Sequence, residues 1–245
     1  MKKILIVGAC SAIARETAKC FAKDGASLYL ADLNLERLEA VRDDIIAHHP
    51  TSIEIEEFDA NNYESHPRLL ENAVSSLDGL CAVLVAHGTL PDQEKLLENP
   101  SLIHKEFNTN CLSAVSFLSF AANYFEKQGK GCLAAISSVA GDRGRQSNYL
   151  YGAAKGGLTV FMQGLRNRLA PKGIPVVTIK PGMVDTPMTA HMTKGLLFSS
   201  AETVGKGIYA AMVKGKNVAY LPGYWKFVML VIRHIPENIF KKLKL

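Results

Sequence analysis

Short apolar runs that end in a glycine or a polar residue alternate along this sequence with longer amphipathic segments. The runs have the composition of buried strands, and each intervening segment is long enough to form one crossover helix. Strands that alternate with helices build a parallel sheet covered on both faces. The sequence therefore predicts an α/β fold, a doubly wound parallel sheet of about seven strands with helices on both faces.

The elements are predicted from hydrophobic periodicity and from glycine, proline and polar boundaries. Strands are predicted at residues 3–7, 27–31, 52–58, 80–86, 132–137, 174–179 and 218–221. Helices are predicted from Ser11 onward, at 35–47, 63–77, 96–125 and 201–213, and around Tyr151. We find no internal linker, repeat or low-complexity segment, so residues 1–245 are predicted to form a single domain.

Composition narrows the class of protein. Hydrophobic residues make up 48% of the chain and charged residues 21%, which is ordinary for a globular protein with a full-sized core. The net charge of +5 is modest and partly concentrated at the C-terminus, so it gives no argument for nucleic-acid binding. The chain starts with a strand-like run instead of a signal peptide, and no apolar segment reaches the roughly 18 residues of a membrane span. A cytoplasmic location is predicted.

The five cysteines are scattered, without Cys-x-x-Cys and without the spacing of metal ligands. Most of them lie in apolar surroundings, so they are interpreted as reduced core residues in a reducing cytosol, and no metal site is predicted.

Gly8 ends the first predicted strand, and a helix is predicted from Ser11. A strand, a tight glycine turn and a helix N-terminus together place a dinucleotide pyrophosphate on the first helical turn. Alanines Ala12 and Ala14 stand where two further glycines are expected. Alanine still lets the backbone approach a phosphate, provided that φ stays negative.

Asp32 ends the second predicted strand, about 20 positions after the glycine turn. A carboxylate there fits a hydrogen bond to a ribose 2′-hydroxyl and repels a 2′-phosphate, which favours NAD(H) over NADP(H). The alternative is an N-cap for the helix at 35–47. The two roles are compatible, and both stay open.

Tyr151 and Lys155 are four residues apart, so a helix would stack them on one face. An ammonium beside a phenol favours the phenolate and lowers the tyrosine pKa, as general acid–base catalysis requires. Ser138, thirteen residues upstream of Tyr151, is placed to donate a hydrogen bond to the same carbonyl. An isolated Tyr-x-x-x-Lys equally fits an amphipathic helix with a buried tyrosine and a snorkelling lysine. The accompanying motifs favour catalysis.

Taken in chain order, these motifs resemble the short-chain dehydrogenase/reductase family across essentially the whole chain. The residues that carry the resemblance are the Gly8 loop, Asp32, Asp59, Val85-Ala86-His87-Gly88, Asn110, Ser138, Tyr151, Lys155 and Pro181-Gly182. The resemblance implies a Rossmann-type fold and an NAD(P)-dependent oxidoreductase that acts on CH–OH or C=O groups. It also implies that Ser138 polarises the carbonyl, Tyr151 is the acid/base, Lys155 holds the nicotinamide ribose and Asn110 supports a relay water.

The same resemblance implies a set of cofactor-binding residues. They are Gly8, Ser11, Ala12, Ile13, Asp32, Asp59, Ala60, Ala86, His87, Gly88, Tyr151, Lys155, Pro181, Gly182, Val184 and Thr186. Within this set, Asp59 and Ala60 would bracket the adenine, and Thr186 would hold the nicotinamide amide.

Three departures from the family pattern bear on cofactor geometry. Alanines replace two glycines of the first loop, Val85-Ala86-His87-Gly88 replaces Asn-Asn-Ala-Gly, and Ser113 replaces a glycine three residues after Asn110. For His87, packing behind the nicotinamide is favoured over a catalytic role.

A narrower resemblance covers the segments ESHPRLLENA, GDRGRQSNYLYGAAKGGL and YWKFVMLVIRHIPENIFKKLKL. These are similar to the decaprenylphosphoryl-2-keto-erythro-pentose reductase branch. That implies NADH-dependent reduction of a polyprenyl-phosphate-linked 2-keto sugar in cell-envelope polysaccharide biosynthesis, a flavin oxidase partner, and the homo-oligomer usual in the family. The alternatives are a 3-oxoacyl or small-carbonyl reductase, and a non-catalytic NAD-binding regulator, which would be expected to lack the tyrosine or the lysine.

Residues 222–245 are predicted to form a basic amphipathic tail. The apolar run 227–232 lies among Lys226, Arg233, His234, Lys241, Lys242 and Lys244. Such a helix fits an anionic membrane surface, and the favoured alternative is packing over the cleft or against a partner subunit. Trp225, Phe227, Leu230 and Ile239 are predicted to face the cleft entrance or a membrane.

Arg143 and Arg145 follow the predicted catalytic serine in the same loop. Guanidinium groups at this position fit a substrate phosphate, which they bind as bidentate donors. They equally fit solvated loop charges, and both interpretations stay open.

Overall fold

A computed structural model describes residues 2–243 of the chain. The strands are β1 (Lys3–Val7), β2 (Ser27–Asp32), β3 (Ile53–Glu57), β4 (Ala82–Val85), β5 (Leu133–Ile136), β6 (Val176–Pro181), β7 (Val184–Asp185), β8 (Ser199–Ser200) and β9 (Val218–Leu221). The helices are α1 (Ala12–Lys23), α2 (Leu35–His48), α3 (His66–Ser76), α4 (Gln93–Glu98), α5 (Pro100–Phe107), α6 (Ser113–Gln128), α7 (Tyr149–Leu169), α8 (Ala201–Val213), α9 (Trp225–His234) and α10 (Glu237–Phe240).

Seven strands form one parallel sheet in the order β3-β2-β1-β4-β5-β6-β9. The doubly wound parallel sheet predicted from the alternation of strands and helices is confirmed. The order reverses between β1 and β4, because the chain builds outward from β1 in both directions. Ligands of open α/β sheets bind beyond the carboxyl ends of the strands at such a reversal.

The core lies in two layers, one on each face of the sheet. Side chains of α3, α6 and α7 pack on one face, and side chains of α1, α2 and α8 pack on the other. Strand residues alternate between the two layers, as Leu5 and Val7 enter the first layer while Ile4 and Ile6 enter the second. Burial on both faces explains why the strands are continuous apolar runs.

The five cysteines are free thiols, as the sequence indicated. Cys111 and Cys132 are buried, and the other three are partly buried. Burial raises the pKa of the Cys132 thiol to about 12, so this cysteine stays protonated at neutral pH.

The segment predicted as one helix at 96–125 is broken. Asn99 caps α5, because its side-chain oxygen accepts a hydrogen bond from the backbone N–H of Ser101 at 3.1 Å, and Pro100 follows at the first helical position. A π-helical turn, Asn108–Leu112, then separates α5 from α6. Such turns are rare and frequently occur at functional sites, and this one contains Asn110.

The C-terminal tail forms α9 and α10 over the carboxyl edge of the sheet. One side of α9 packs through Trp225 and Met229 against Val139. Of the helices within residues 2–243, none has the length and apolar character needed to cross a bilayer.

Candidate active site

A cleft opens beyond the carboxyl ends of β4, β5 and β6, and Trp225 of α9 lines it from above. The predicted site residues that line it are Ser11, Ile13, Ala86, His87, Gly88, Asn110, Ser138, Tyr151, Lys155, Pro181, Gly182, Val184 and Thr186. Gly8, Ala12, Asp32, Asp59 and Ala60 do not line this cleft and follow β1, β2 and β3 along the same edge of the sheet.

Close backbone packing brings Ser138 to the start of α7. A short 3-10 turn, Val139–Asp142, follows Ser138 and lies directly against α7. A Cβ atom on Gly141 would lie 2.7 Å from the Gly156 nitrogen, and one on Gly152 would lie 2.9 Å from the Ala140 oxygen. Because only glycine fits at these contacts, the glycines on both sides of Tyr151 hold Ser138 and Tyr151 in the same cleft.

The Ser138 hydroxyl is oriented by the backbone of the turn that follows it. Its Oγ accepts a hydrogen bond from the Ala140 N–H at 3.1 Å. The hydroxyl proton therefore remains available for donation to a ligand in the cleft.

Lys155 extends along the cleft wall under the tyrosine. Only 4% of the residue is exposed, and its Nζ donates to the Ile136 carbonyl at 3.1 Å and lies 5.9 Å from the centroid of the Tyr151 ring. Burial lowers the pKa of Lys155 to about 8, so the group is mostly charged at neutral pH. Among the described residues, no carboxylate forms an ion pair with this ammonium.

The expected lowering of the Tyr151 pKa is not found. Burial raises the pKa of the Tyr151 hydroxyl to about 12, and the nearby Ser138 hydroxyl offsets only part of the rise. The Lys155 ammonium lies at the face of the ring and is hydrogen-bonded to the strand carbonyl. Desolvation therefore dominates, and Tyr151 carries its proton at neutral pH in this structure.

Asn110 is fixed at the back of the cleft by the π-helical turn. The residue is 1% exposed, and its Oδ1 accepts from the Thr89 N–H at 3.0 Å. Its Nδ2 donates to the Thr89 hydroxyl at 2.9 Å and to a Glu106 carboxylate oxygen at 3.3 Å. Asn110 is thus held in one orientation beside Gly88 and Lys155.

Two departures from the family pattern contact each other. The Ser113 Oγ donates to the Thr109 carbonyl at 3.1 Å and accepts from His87 Nε2–H at 2.8 Å. Burial lowers the pKa of His87 to about 3, so the imidazole is neutral, and its buried Nδ1 has no hydrogen-bond partner. The geometry agrees with the favoured packing role of His87.

The glycine turn has the geometry of a pyrophosphate cradle. Gly8 has a φ of +83°, and a Cβ atom on it would lie 2.3 Å from the His87 nitrogen, so the position requires glycine. Ala12 and Ala14 have no positive φ and begin α1, whose N-cap is Ser11. Because φ is not positive at these alanines, the backbone can still approach a phosphate. The first turn of α1 therefore fits a dinucleotide phosphate.

Asp32 does not cap the helix that follows it. Its two carboxylate oxygens accept from the backbone N–H groups of Cys10 and Leu33, both at 2.8 Å. Asn34 is the N-cap of α2, because its Oδ1 accepts from the Arg37 N–H at 2.8 Å. The capping interpretation of Asp32 was wrong, because a residue nearer the helix start takes that role. The carboxylate instead joins the end of β2 to the glycine turn.

Asp59 and Ala60 follow β3 at the same edge of the sheet. The Asp59 Oδ1 accepts from the Asn61 N–H at 2.8 Å, and the Ala60 carbonyl accepts from His66 Nε2–H at 2.9 Å. These contacts shape the far end of the edge, beyond the residues that line the cleft.

The segment after β6 contacts the C-terminal tail. Gly182 lies so close to the Trp225 indole that a Cβ atom on it would lie 1.9 Å from the ring. Thr186 begins a short 3-10 turn, in which its N–H donates to the Thr189 hydroxyl at 3.2 Å. The two residues predicted to hold the cofactor therefore also shape the side of the cleft under Trp225.

Several cleft residues were not predicted from the sequence. They are Thr89, Leu90, Asn148, Met183, Met188, Thr189 and Met192. Most lie in irregular loops, where no periodicity indicates which side chains face a ligand. Trp225, by contrast, was predicted to face the cleft entrance or a membrane, and it lines the cleft.

Comparison with known proteins identifies the family. A family profile described as short chain dehydrogenase matches residues 2–196. The chain belongs to the short chain dehydrogenase family. It is an oxidoreductase that acts on CH–OH or C=O groups, and the family's fold binds a nicotinamide cofactor.

Relatives of this short chain dehydrogenase span its whole length. An uncharacterized oxidoreductase of Mycobacterium tuberculosis is 30% identical over 240 residues, which cover 98% of this chain and 96% of the relative. Levodione reductase has a similar structure, with a TM-score of 0.84, 18% identity, and coverage of 92% of this chain and 98% of that one. The structure of ElxO with NADP bound gives a TM-score of 0.83 at 21% identity, with coverage of 93% of this chain and 100% of that one. These two structures share the fold with this chain.

Proposed function

We propose that this protein is an NAD(H)-dependent reductase that converts a ketone to a secondary alcohol, with a polyprenyl-phosphate-linked 2-keto sugar as substrate. The reaction is proposed because Ser138, Tyr151 and Lys155 line the same cleft. The substrate assignment is supported by the apolar residues that line that cleft. It is also supported by the resemblance of three segments of the chain to the keto-sugar reductase branch.

Each polar side chain of the cleft has a role that follows from its contacts. The Ser138 proton is free to be donated to the substrate carbonyl, because the Oγ already accepts from Ala140. Tyr151 delivers its proton to the same oxygen as the carbonyl becomes an alkoxide. Lys155 stabilises the developing negative charge and fits a ribose hydroxyl of the cofactor. The nicotinamide, when bound, supplies the hydride.

The protonation state of Tyr151 favours reduction over oxidation. Its pKa is raised to about 12 by burial, so the group begins as an acid at neutral pH. A proton donor is what ketone reduction needs, whereas alcohol oxidation needs the phenolate. Alcohol oxidation is therefore expected to rise with pH over the neutral and alkaline range, while ketone reduction stays level there.

The preference for NAD(H) is proposed from Asp32. Its carboxylate lies at the end of β2 and is fixed by the N–H groups of Cys10 and Leu33. A fixed carboxylate accepts a hydrogen bond from a ribose 2′-hydroxyl and repels a 2′-phosphate. The kcat/KM with NADH should exceed that with NADPH, and Asp32→Asn should narrow the ratio. An NADPH preference in the wild type would contradict the assignment.

The cleft mouth suits a substrate with a long apolar group. Met183, Met188 and Met192 line the cleft together with Leu90 and Trp225. Methionine side chains adapt their shape to irregular apolar partners.

The outer face of α9 supports contact with a membrane beside this mouth. Phe227, Leu230 and Val231 are 69%, 56% and 65% exposed, and Ile239 of α10 is 54% exposed. The exposed basic residues around them are Lys226, Arg233, His234, Lys241 and Lys242. Apolar side chains ringed by cations suit the interface of an anionic bilayer. Lys244 lies outside the described residues.

The wider setting belongs to the same proposal. A single dinucleotide-binding domain of residues 1–245 would act in the cytoplasm as a homo-oligomer at the inner membrane surface. It would receive the 2-keto sugar from a flavin oxidase in cell-envelope polysaccharide biosynthesis. The alternative of a non-catalytic NAD-binding regulator is disfavoured, because both Tyr151 and Lys155 are present in the cleft.

The experiment compares two ketones and one surface variant. A polyprenyl-phosphate 2-keto pentose in anionic vesicles and a short soluble ketone are reduced by wild type and by Phe227→Ser/Leu230→Ser/Val231→Ser. The variant leaves the inward-facing Trp225 and Met229 in place. It should lose vesicle binding and turnover of the lipid-linked ketone while retaining turnover of the soluble one.

Val213→Ser provides the matched control. Val213 is 48% exposed at the end of α8, where the chain enters β9 at the opposite edge of the sheet. Equal activity of wild type on both ketones, with no vesicle binding, would favour a 3-oxoacyl or small-carbonyl reductase and remove the lipid-linked substrate.

A further inference from the structure

Two arginines of the loop after Ser138 have different environments. The Arg143 guanidinium donates to the carbonyls of Ile232 at 2.7 Å and Ile235 at 2.6 Å, and to the Glu237 carboxylate at 2.9 Å. It also stacks 3.7 Å from the centroid of the Phe240 ring. Arg143 is thus occupied in holding α9 and α10 and is not free to bind a ligand.

Arg145 lines the cleft and has no such partners. Its Nη2 contacts the Met229 Sδ at 3.3 Å, and its Nε is shielded from solvent without a hydrogen-bond acceptor. Within residues 2–243, no carboxylate forms an ion pair with Arg145. A thioether sulfur is a weak acceptor and does not balance a guanidinium charge.

The neighbouring carboxylate is already committed to other groups. Asp142 pairs with Lys180, and the two side chains are 3% and 6% exposed. Its second oxygen accepts from the Tyr220 hydroxyl at 2.6 Å. Burial lowers the pKa of Arg145, and the Asp142 charge compensates only in part. A partly buried cation without a counterion is costly, so the site favours an anion.

Besides the Nδ1 of His87, two further polar atoms of residues that line the same cleft lack partners. They are the Asn148 Oδ1 and the Trp225 Nε1, both shielded from solvent. Asn148 is tied to Arg145, because its N–H donates to the Arg145 carbonyl at 3.2 Å. Apart from His87, the unpartnered groups are therefore two donors, Arg145 Nε and Trp225 Nε1, and one acceptor, Asn148 Oδ1. They match a ligand that has both an anionic oxygen and a hydroxyl.

We propose that Arg145 binds an anionic group of the substrate, a phosphate ester or a carboxylate, with Trp225 Nε1 as a second donor and Asn148 Oδ1 as the acceptor for a neighbouring hydroxyl. The proposal rests on the reductase function above, because it places the anion on the molecule whose carbonyl meets Ser138 and Tyr151. Arg145 and Asn148 lie between these two residues in the chain, on a loop apart from the Gly8 turn that fits the cofactor phosphates.

The test measures binding instead of turnover. Affinities of farnesyl phosphate, farnesoic acid and farnesol are measured by calorimetry with the NADH-saturated protein, so the cofactor already fills its own phosphate site. Wild type should bind one of the two anions more tightly than neutral farnesol, and the preferred anion identifies the charged group. Equal affinity for all three would overturn the proposal.

Variants of Arg145 separate binding from structure. Arg145→Met should weaken binding of the preferred anion by about 10- to 100-fold, the loss typical of one charge-assisted hydrogen-bond donor, and leave farnesol within about threefold. Arg145→Lys should restore part of the affinity, because it restores the charge. Lys214→Met, which removes an exposed charge after α8, should change neither.

The variant results decide between a ligand site and a packing role. Equal loss of anion and farnesol binding in Arg145→Met would show that the arginine only supports Met229, which overturns the proposal. A protein that binds the anion through Arg145 but reduces no ketone would keep the anion site and refute the reductase function, so the two failures are distinguishable.

Discussion

The floor of the cleft, which consists of Ser138, Tyr151 and Lys155, is built differently from its cover, α9 and α10. Backbone contacts through Gly141 and Gly152 hold the floor together. Side chains hold the cover, chiefly Trp225 against Gly182 and Arg143 against the carbonyls after Met229. The family match ends at residue 196, so it includes the floor and excludes the cover. From this difference we expect the floor to govern the reaction with every ketone and the cover to contribute to substrate selectivity.

The largest effect is expected from the floor. Tyr151→Phe removes the transferable proton and keeps the ring, so turnover should fall by roughly 10²–10⁴-fold with every ketone tested. NADH affinity, followed by fluorescence titration, should change little. Stopped-flow reduction of a soluble and a lipid-linked ketone measures the loss, which should be similar for both. Turnover within a few-fold of wild type would remove Tyr151 from its role.

The cover should respond with lost stability and altered substrate selectivity. Trp225 is 2% exposed, so Trp225→Ala should lower the free energy of unfolding by about 3–5 kcal/mol in urea denaturation. The KM for a large ketone should rise more than the KM for a small one. Phe227→Ala on the same helix, where the side chain is 69% exposed, should cost less than about 0.5 kcal/mol. Equal costs at the two positions would contradict the described packing of α9.

The smallest effect concerns His87 on the floor side. Burial lowers the pKa of His87 from 6.5 to about 3. Below pH 6.5 the His87 imidazole therefore stays neutral in the folded protein, whereas in the unfolded chain it takes up a proton. Stability should therefore fall as pH drops below about 6.5, by up to about 1.4 kcal/mol per pH unit from this one group. His87→Asn should make the slope of unfolding free energy between pH 7 and 5 shallower. Parallel curves for the two proteins would contradict the burial of His87.

The sheet was predictable from sequence because burial on both faces leaves a strong local signal. Residues 218–221 were predicted as a strand and form β9, and 52–58 differs from β3 by one residue at each end. The break of the predicted helix at 96–125 was missed, although Asn99-Pro100 is a helix-start signal that the sequence contains. The π-helical turn that follows has no comparable signal in the sequence. At Asn99, capping and the proline ended one helix and began the next within the range predicted as a single helix.

The site was predictable where a motif carries the chemistry and less so where contacts are long-range. The positions of Ser138, Tyr151 and Lys155 followed from motif spacing, whereas the raised pKa of Tyr151 depends on burial that no spacing encodes. Trp225 and Phe227 were predicted to share one face, but the structure turns Trp225 inward and leaves Phe227 exposed. That division is decided by Gly182, which is 43 residues away in the chain.

The contact between His87 and Ser113 has a consequence for how such a sequence can change over evolutionary time. If glycine replaced Ser113, the Nε2 of His87 would lose its hydrogen-bond partner, in addition to the Nδ1 that has none. If an apolar residue replaced His87, the Ser113 Oγ would lose the donor from which it accepts. Loss of the serine alone leaves a buried imidazole without any hydrogen-bond partner, which is costly. After loss of the histidine alone, the Ser113 hydroxyl still donates to the Thr109 carbonyl. A sequence with histidine at position 87 is therefore expected to keep a polar partner at position 113, whereas serine at position 113 is expected to tolerate replacement of the histidine.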